Sequence, residues 1–144
     1  MALDPFATTS MFHVSIGGLS LGDFSGCSGL GCEIETETRH EGGVNGHARR
    51  FPSRIGYPNI VLTRPLSRAS ALIWVWLESQ TVRVVRSSAA ITALAPDRTP
   101  ILVWGLTGVL PCRWNGPAFD VGHSQPAVET LELSHEGFLE VTAP

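Results

Sequence analysis

Three cysteines, five histidines and thirteen acidic residues are the side chains of this sequence that could attack a substrate or hold a metal. Cys27 and Cys32 stand in a C-x4-C spacing, and with His40 or Cys112 they complete a zinc tetrad on paper. A structural zinc site needs a second compact ligand pair, and none exists; no metal is expected. Cys32 falls on the apolar parity of its segment, where a free thiol packs as a small hydrophobe, so core packing is the expectation. Gly26-Cys27-Ser28-Gly29 has the outline of a nucleophile elbow, but that motif requires glycine two residues after the serine and Leu30 stands there. Triad partners meet in space rather than in sequence, so a hydrolase on Ser28 or Cys27 stays open as a competing class.

Glu129, Glu132 and Glu136 offer carboxylates for acid and base work, yet Glu132 and Glu136 fall on the polar parity of a strand, where solvated or interfacial roles are usual. Gly42, Gly43 and Gly46 match neither phosphate-binding glycine pattern, and no lysine exists to serve a Walker loop. Arg49, Arg50 and Arg54 could grip phosphate, but arginines in a chain of net charge -3 more often donate to carboxylates. No catalytic residue, metal ligand or cofactor is therefore assigned.

The elements that must position these residues belong to a chain of 144 residues, the length of one domain. It is 43% hydrophobic and only 16% charged, which excludes disorder, coiled coil and collagen. All ten cations are arginine, suited to bidentate and partly buried pairing, and the balanced charge speaks against a dedicated nucleic-acid binder. The first ten residues lack the basic start and apolar run of a secretory signal, and the longest nearly apolar stretch, 101–112, is shorter than the ~18 residues that suggest a membrane span. An odd cysteine count in a chain able to build a core points to a reducing compartment.

Phe12, Val14 and Ile16 alternate with polar residues as in a strand with one buried face. Over 32–40, Cys32, Ile34, Thr36 and Thr38 point one way and Glu33, Glu35, Glu37 and Arg39 the other, giving an acidic face. EGGVNG, residues 41–46, reads as a flexible loop leading into the basic segment HARRFPSR. NIVLTR, 59–64, is a strand fenced by Pro58 and Pro65. Leu72, Ile73, Trp76 and Leu77 recur at helical spacing after Ala69, with Ser67 as N-cap, and predict one helix over 67–80. Trp74 and Val75 widen its apolar sector beyond what packing on one sheet requires, so part of it is expected to face another subunit. RVVRSSAAITAL and ILVWGLTGVLPCRW form a hairpin about PDRTP. In the last segment Leu131, Leu133, His135, Leu139 and Val141 share one parity, and only Phe138 breaks it. Seven or eight strands and one helix predict a mainly β fold, a barrel or two packed antiparallel sheets with a flanking helix.

Six segments then look familiar in order: FHVSIGGLSLGDFSGCSGLGCEIE (12–35), RHEGGVNG (39–46), RRFPSRIGYPNIVLTRPL (49–66), the tryptophan-bearing helix (72–77), RWNGP (113–117) and AVETLELSHEG (127–137). Together they resemble the tail-tube protein family of contractile phage tails and contractile injection systems, in particular the inner-tube subunits of the extracellular systems, over about 11–141. The absence of lysine and the pair Cys27 and Cys32 depart from that pattern.

The resemblance implies a structural, non-enzymatic subunit: a single tail-tube-like domain, 1–144, with an N-terminal arm (1–10) and an extended inter-subunit loop (40–56). It implies homohexameric rings stacked into a hollow tube inside a contractile sheath, with sheath, baseplate, spike, tube-initiator and terminal cap proteins as partners. Effector cargo could occupy the lumen; no specific nucleic acid, membrane anchor or cofactor is implied. Assembly would take place in the bacterial cytoplasm, with release of the particle left open. The candidate contacts between subunits or rings are Glu33, Glu35, Glu37, Glu41, Gly42, Gly43, Asn45, Arg49, Arg50 and Arg54, read as acidic and basic surfaces that meet. Leu72, Ile73, Trp74, Trp76 and Leu77 are the candidate helix core and interface. The alternatives are a tube-initiator or baseplate adaptor of the same fold and a monomeric ligand-binding barrel.

Overall fold

A computed structural model describes residues 8–40, 48–116, 122 and 127–144. Among them the order of elements is β1 (Met11–Ile16), β2 (Leu19–Phe24), β3 (Gly26–Ser28), β4 (Glu33–His40), β5 (Ala48–Gly56), β6 (Ile60–Pro65), α1 (Ser70–Val82), β7 (Ser87–Leu94), β8 (Pro100–Asn115), β9 (Val128–Ser134) and β10 (Gly137–Thr142). The mainly β architecture with one helix agrees with the sequence, although the strands number ten rather than seven or eight.

Every pairing is antiparallel, and the main sheet runs β2-β1-β7-β8-β9-β6-β3, with β10 also on β8. The path begins and ends on strands separated in the chain by Ser25 alone, whose amide donates to the Thr63 carbonyl at 2.9 Å. The continuous backbone at this corner closes the path into a barrel, the arrangement that removes open sheet edges. The 16-residue β8 makes the opposite corner: its first half lies between β7 and β10, its second half beside β9.

Period-two alternation fills the interior. Val14 and Ile16 from β1, Leu21 and Phe24 from β2, Ile60 and Leu62 from β6, Ile91 from β7, and Leu131 and Leu133 from β9 are almost wholly buried. Ile73 and Trp76 of α1 join the same core, while Leu72 and Leu77 pack at its margin. The helix begins at Ser70, not after Ser67, and ends at Val82. Ser67 is not its cap: its hydroxyl accepts the Ala69 amide at 3.2 Å within the preceding turn, and Ala69 occupies the cap position with no side-chain hydrogen bond. No described helix is long and apolar enough to cross a membrane.

Four further expectations need correction. Residues 48–56, expected within a loop, form β5, because β4 offers an antiparallel partner for the whole segment. Residues 83–86 belong to no strand; β7 starts at Ser87. The last segment is two strands, broken at His135 and Glu136, with a register shift between Phe138 and Glu140. The break puts Phe138, opposite core residue Leu106, against the core; Leu139 is the extra residue of the shift and is exposed, and Val141 lies opposite Trp104, half exposed at the end of the sheet. Cys32 is exposed because it precedes a strand that leaves the barrel. Of the arm at 1–10, only residues 8–10 are described, and they are exposed.

The close approach of the chain to β6 just after β3 requires glycine at position 29. Its φ is +89°, and a Cβ there would collide with the Asn59 carbonyl oxygen. Gly29→Ala is expected to destabilise the fold by about 1–3 kcal/mol, read as a lower urea midpoint with unchanged m.

Candidate functional site

The hairpin β4–β5 stands apart from the barrel: every one of its side chains described, 33–38 and 49–56, is exposed. Isolated two-stranded hairpins are marginally stable in water, and β4–β5 gains no third strand among the described residues. The register sets Glu33 opposite Gly56, Glu35 opposite Arg54, and Glu37 opposite Phe51 on one face. Ile34 opposite Ile55, Thr36 opposite Pro52, and Thr38 opposite Arg50 share the other. A shift between Glu35 and Thr36 lets Arg54 and Arg50 fall on different faces. The acidic and basic residues expected on separate complementary surfaces thus share one hairpin, with Glu35 and Arg54 directly across from each other. Ile34 and Ile55 are 55% and 57% exposed, an apolar pair left uncovered among the described residues. Glu41, Gly42, Gly43 and Asn45 lie outside the described residues.

At the root of the hairpin, Tyr57 packs edge-on against Phe138 at 5.7 Å and tilted against His135 at 5.3 Å. Gly137 allows this approach, since a Cβ there would lie 3.1 Å from the Tyr57 ring. The His135 Nδ1 accepts the Gly137 amide at 3.2 Å.

The helix presents a second uncovered surface. Trp74 and Val75 are more than half exposed, as the breadth of the apolar sector predicts, and Trp74 lies 6.3 Å from Trp114 of β8. At the end of the helix and just past it, Val82 and Val84 are 87% and 70% exposed.

Beneath the helix is a buried ion pair that the sequence analysis missed. The Arg64 Nε donates to the Glu129 Oε2 at 3.2 Å, with both side chains almost wholly buried. The Arg64 Nη1 reaches the Leu21 carbonyl at 2.6 Å and the Nη2 the Ala69 carbonyl at 3.0 Å, while the guanidinium lies 4.2 Å over the Phe24 ring. Glu129 accepts the Trp114 Nε1 at 3.0 Å and the hydroxyl of Ser70, the first helical residue. The helix has no acidic residue in its first turn, and this carboxylate from β9 supplies the anion its N-terminus favours. Extending the alternation by one step would have found both charges: Arg64 continues the inward parity of Ile60 and Leu62, and Glu129 that of Leu131 and Leu133.

The remaining candidates stay apart. Glu132 accepts from Asn59 at 2.9 Å and Glu136 pairs with Arg86 at 2.9 Å, both on the outside. Cys32 and Cys112 are exposed, and burial pushes the Cys27 thiol up to about 11, away from nucleophilic use at neutral pH. Among the described residues no group of three or more His, Cys, Asp or Glu is placed to share a metal. On β2, Asp23, whose carbonyl lies 3.5 Å from the Arg64 Nη1, binds His13 at 2.9 Å and Arg98 at 2.8 Å through its carboxylate, and the Arg98 hydrogen bond holds that carboxyl below the usual range.

The family of T4-like virus tail tube proteins, gp19, matches residues 8–139. The chain belongs to that family. No curated protein matches it in sequence. A chain of an extracellular contractile injection system, the PVC sheath-tube complex in its extended state, superposes with a TM-score of 0.80 at 21% identity, covering 99% of this chain and 95% of that one. A chain of the anti-feeding prophage tube-terminating cap gives 0.80 at 20% identity, covering 100% and 95%. Hcp1 from Flavobacterium johnsoniae gives 0.52 at 13% identity, covering 93% and 99%. The tail-tube family and fold are those of structural proteins.

Removing one member of the buried pair strands the other charge. Arg64→Ala or Glu129→Ala should cost about 3–5 kcal/mol, whereas Arg64→Met with Glu129→Leu should recover much of that loss, measured by denaturant unfolding. For Asp23 the folded carboxyl titrates below its unfolded value, so its stabilisation is present above the ordinary value of 3.8 and is lost as pH falls below it. Stability measured at pH 5 and pH 3 should therefore differ less for Asp23→Asn than for the parent.

Proposed function

We propose that the protein is the inner-tube subunit of a phage-tail-like contractile injection system, forming hexameric rings that stack into a hollow tube within a sheath. The observation that carries this reading is the tail-tube family match across the barrel, joined to a projecting hairpin whose Ile34 and Ile55 have no cover among the described residues. Contact within a ring closes, and stacking repeats without closing, so each subunit must offer different patches to its neighbours. The hairpin is one such patch, with Glu33, Glu35, Glu37, Arg49, Arg50 and Arg54 upon it, and the outer face of α1 with Trp74 is another. The sheath, the baseplate with its spike and tube initiator, and the terminal cap are the partners. The subunit is made in the bacterial cytoplasm and acts without catalysis. Similarity to a chain of the anti-feeding prophage baseplate, TM-score 0.74 at 22% identity, favours a tube-initiator role as the second reading; capacity to polymerise separates the two.

Size-exclusion chromatography with light scattering and negative-stain imaging should reveal six-fold rings or stacked tubes. A chain that remains monomeric even when offered a tube-initiating baseplate would overturn the proposal. Arg49→Glu with Arg50→Glu should leave the barrel folded and stop tube growth, seen as an unchanged circular dichroism spectrum beside the loss of tubes.

A further inference from the structure

An asparagine followed by glycine carries its own electrophile and nucleophile. The next backbone nitrogen reaches the side-chain carbonyl carbon, and glycine has no Cβ to obstruct the approach. Asn-Gly occurs at 45–46, outside the described residues, and at 115–116. Asn115 is the last residue of β8, paired with Thr130 of β9, and Gly116 follows it exposed and outside any strand. Ring closure requires rotation about the Cα–C bond of the asparagine, which a strand ladder opposes. Beyond Asn115 nothing holds the chain among the described residues: the Gly116 amide donates no hydrogen bond, the Asn115 side-chain amide makes none, and the space about Gly116 is open. Asn59 shows the opposite arrangement. Its Nδ2 donates to the Glu132 Oε1 at 2.9 Å, and the nitrogen after it belongs to Ile60, buried and β-branched at the start of β6.

We propose that Asn115 is a site of spontaneous deamidation in the folded chain, which turns the neutral end of β8 into an acidic one. The Gly116 nitrogen gives up its proton and bonds to the Asn115 Cγ; the Cγ–Nδ2 bond breaks and that nitrogen leaves as ammonia, closing a five-membered succinimide. Water then opens the ring at either carbonyl, giving aspartate, or isoaspartate with the main chain routed through Cγ. One water is consumed and one ammonia released, with no oxidation or reduction. Trp114 lies opposite core residue Leu131, so Arg113 and Asn115 share the outer face of β8. Arg113 has no ion pair among the described residues, and the new carboxylate arises beside it. The net charge of -3 becomes one unit more negative in each chain that reacts. The reaction does not depend on the tube reading.

The full chain is held at mildly alkaline pH and 37 °C, folded and in guanidinium chloride, and digests taken over time are read by mass spectrometry for aspartate and isoaspartate at each asparagine. A reaction that had to wait for global unfolding would run about a thousandfold or more slower in the folded chain than in denaturant. A reaction that needs only the free end of β8 escapes that protection. The expected result is conversion of Asn115 in the folded chain within about tenfold of its rate in denaturant, while Asn59 stays intact. Gly116→Ala tests the attacking nitrogen: a Cβ there meets nothing within 4 Å, so the fold is kept, yet it crowds the approach to Cγ. The variant should convert more slowly than the parent in both states. Protection of Asn115 as complete as that of Asn59, absence of conversion in denaturant, or an unchanged rate in Gly116→Ala would each overturn the proposal.

Discussion

The Arg64–Glu129 pair is the interaction on which the remaining packing depends. Burying either charge alone would cost several kcal/mol, so the fold must bring every partner of the pair to one place. Those partners come from β2 through the Leu21 carbonyl, from β8 through Trp114, and from the start of α1 through Ala69 and Ser70. A small displacement of the helix would break hydrogen bonds on both charges at once. The pair therefore locates α1 on the barrel more narrowly than Ile73 and Trp76 could, since apolar burial is non-directional.

With the helix held there, its outer face is committed to the surface. Trp74, Val75 and the valines after the helix are left exposed, which a monomer gains nothing from. The barrel meanwhile solves its own edge problem by bending single chains through two corners, at Ser25 and along β8. What remains open among the described residues is the projecting hairpin and the stretch of β8 beyond Val109.

Alternation made much of the barrel legible. The inward residues of β1, β6 and β9 follow a period of two without interruption, and Trp76 and Ile73 of α1 follow helical spacing. The reading failed where a strand was broken or took in an extra residue. The break at His135 and Glu136 moved Phe138 to the core face, and a bulge opposite Glu35 separated Arg50 from Arg54. A bulge is a two-strand property, invisible in the strand that carries it. The strand at 48–56, inside the loop expected over 40–56, was missed similarly: its arginines and Pro52 give a weak strand signal until β4 lies alongside.

The sequence by itself determined the fold class, the place of the helix and, through six ordered segments, a resemblance that the family match over 8–139 bears out. Those features are carried by local periodicity and by residue order. Only the tertiary structure decided that Glu35 and Arg54 face each other within one subunit, that Cys32 is exposed, and that Arg64 and Glu129 neutralise each other in the interior. These depend on contacts between residues far apart in the chain. The pairing of Arg64 with Glu129 spans 65 residues, and no local pattern specifies which inward charge will meet which.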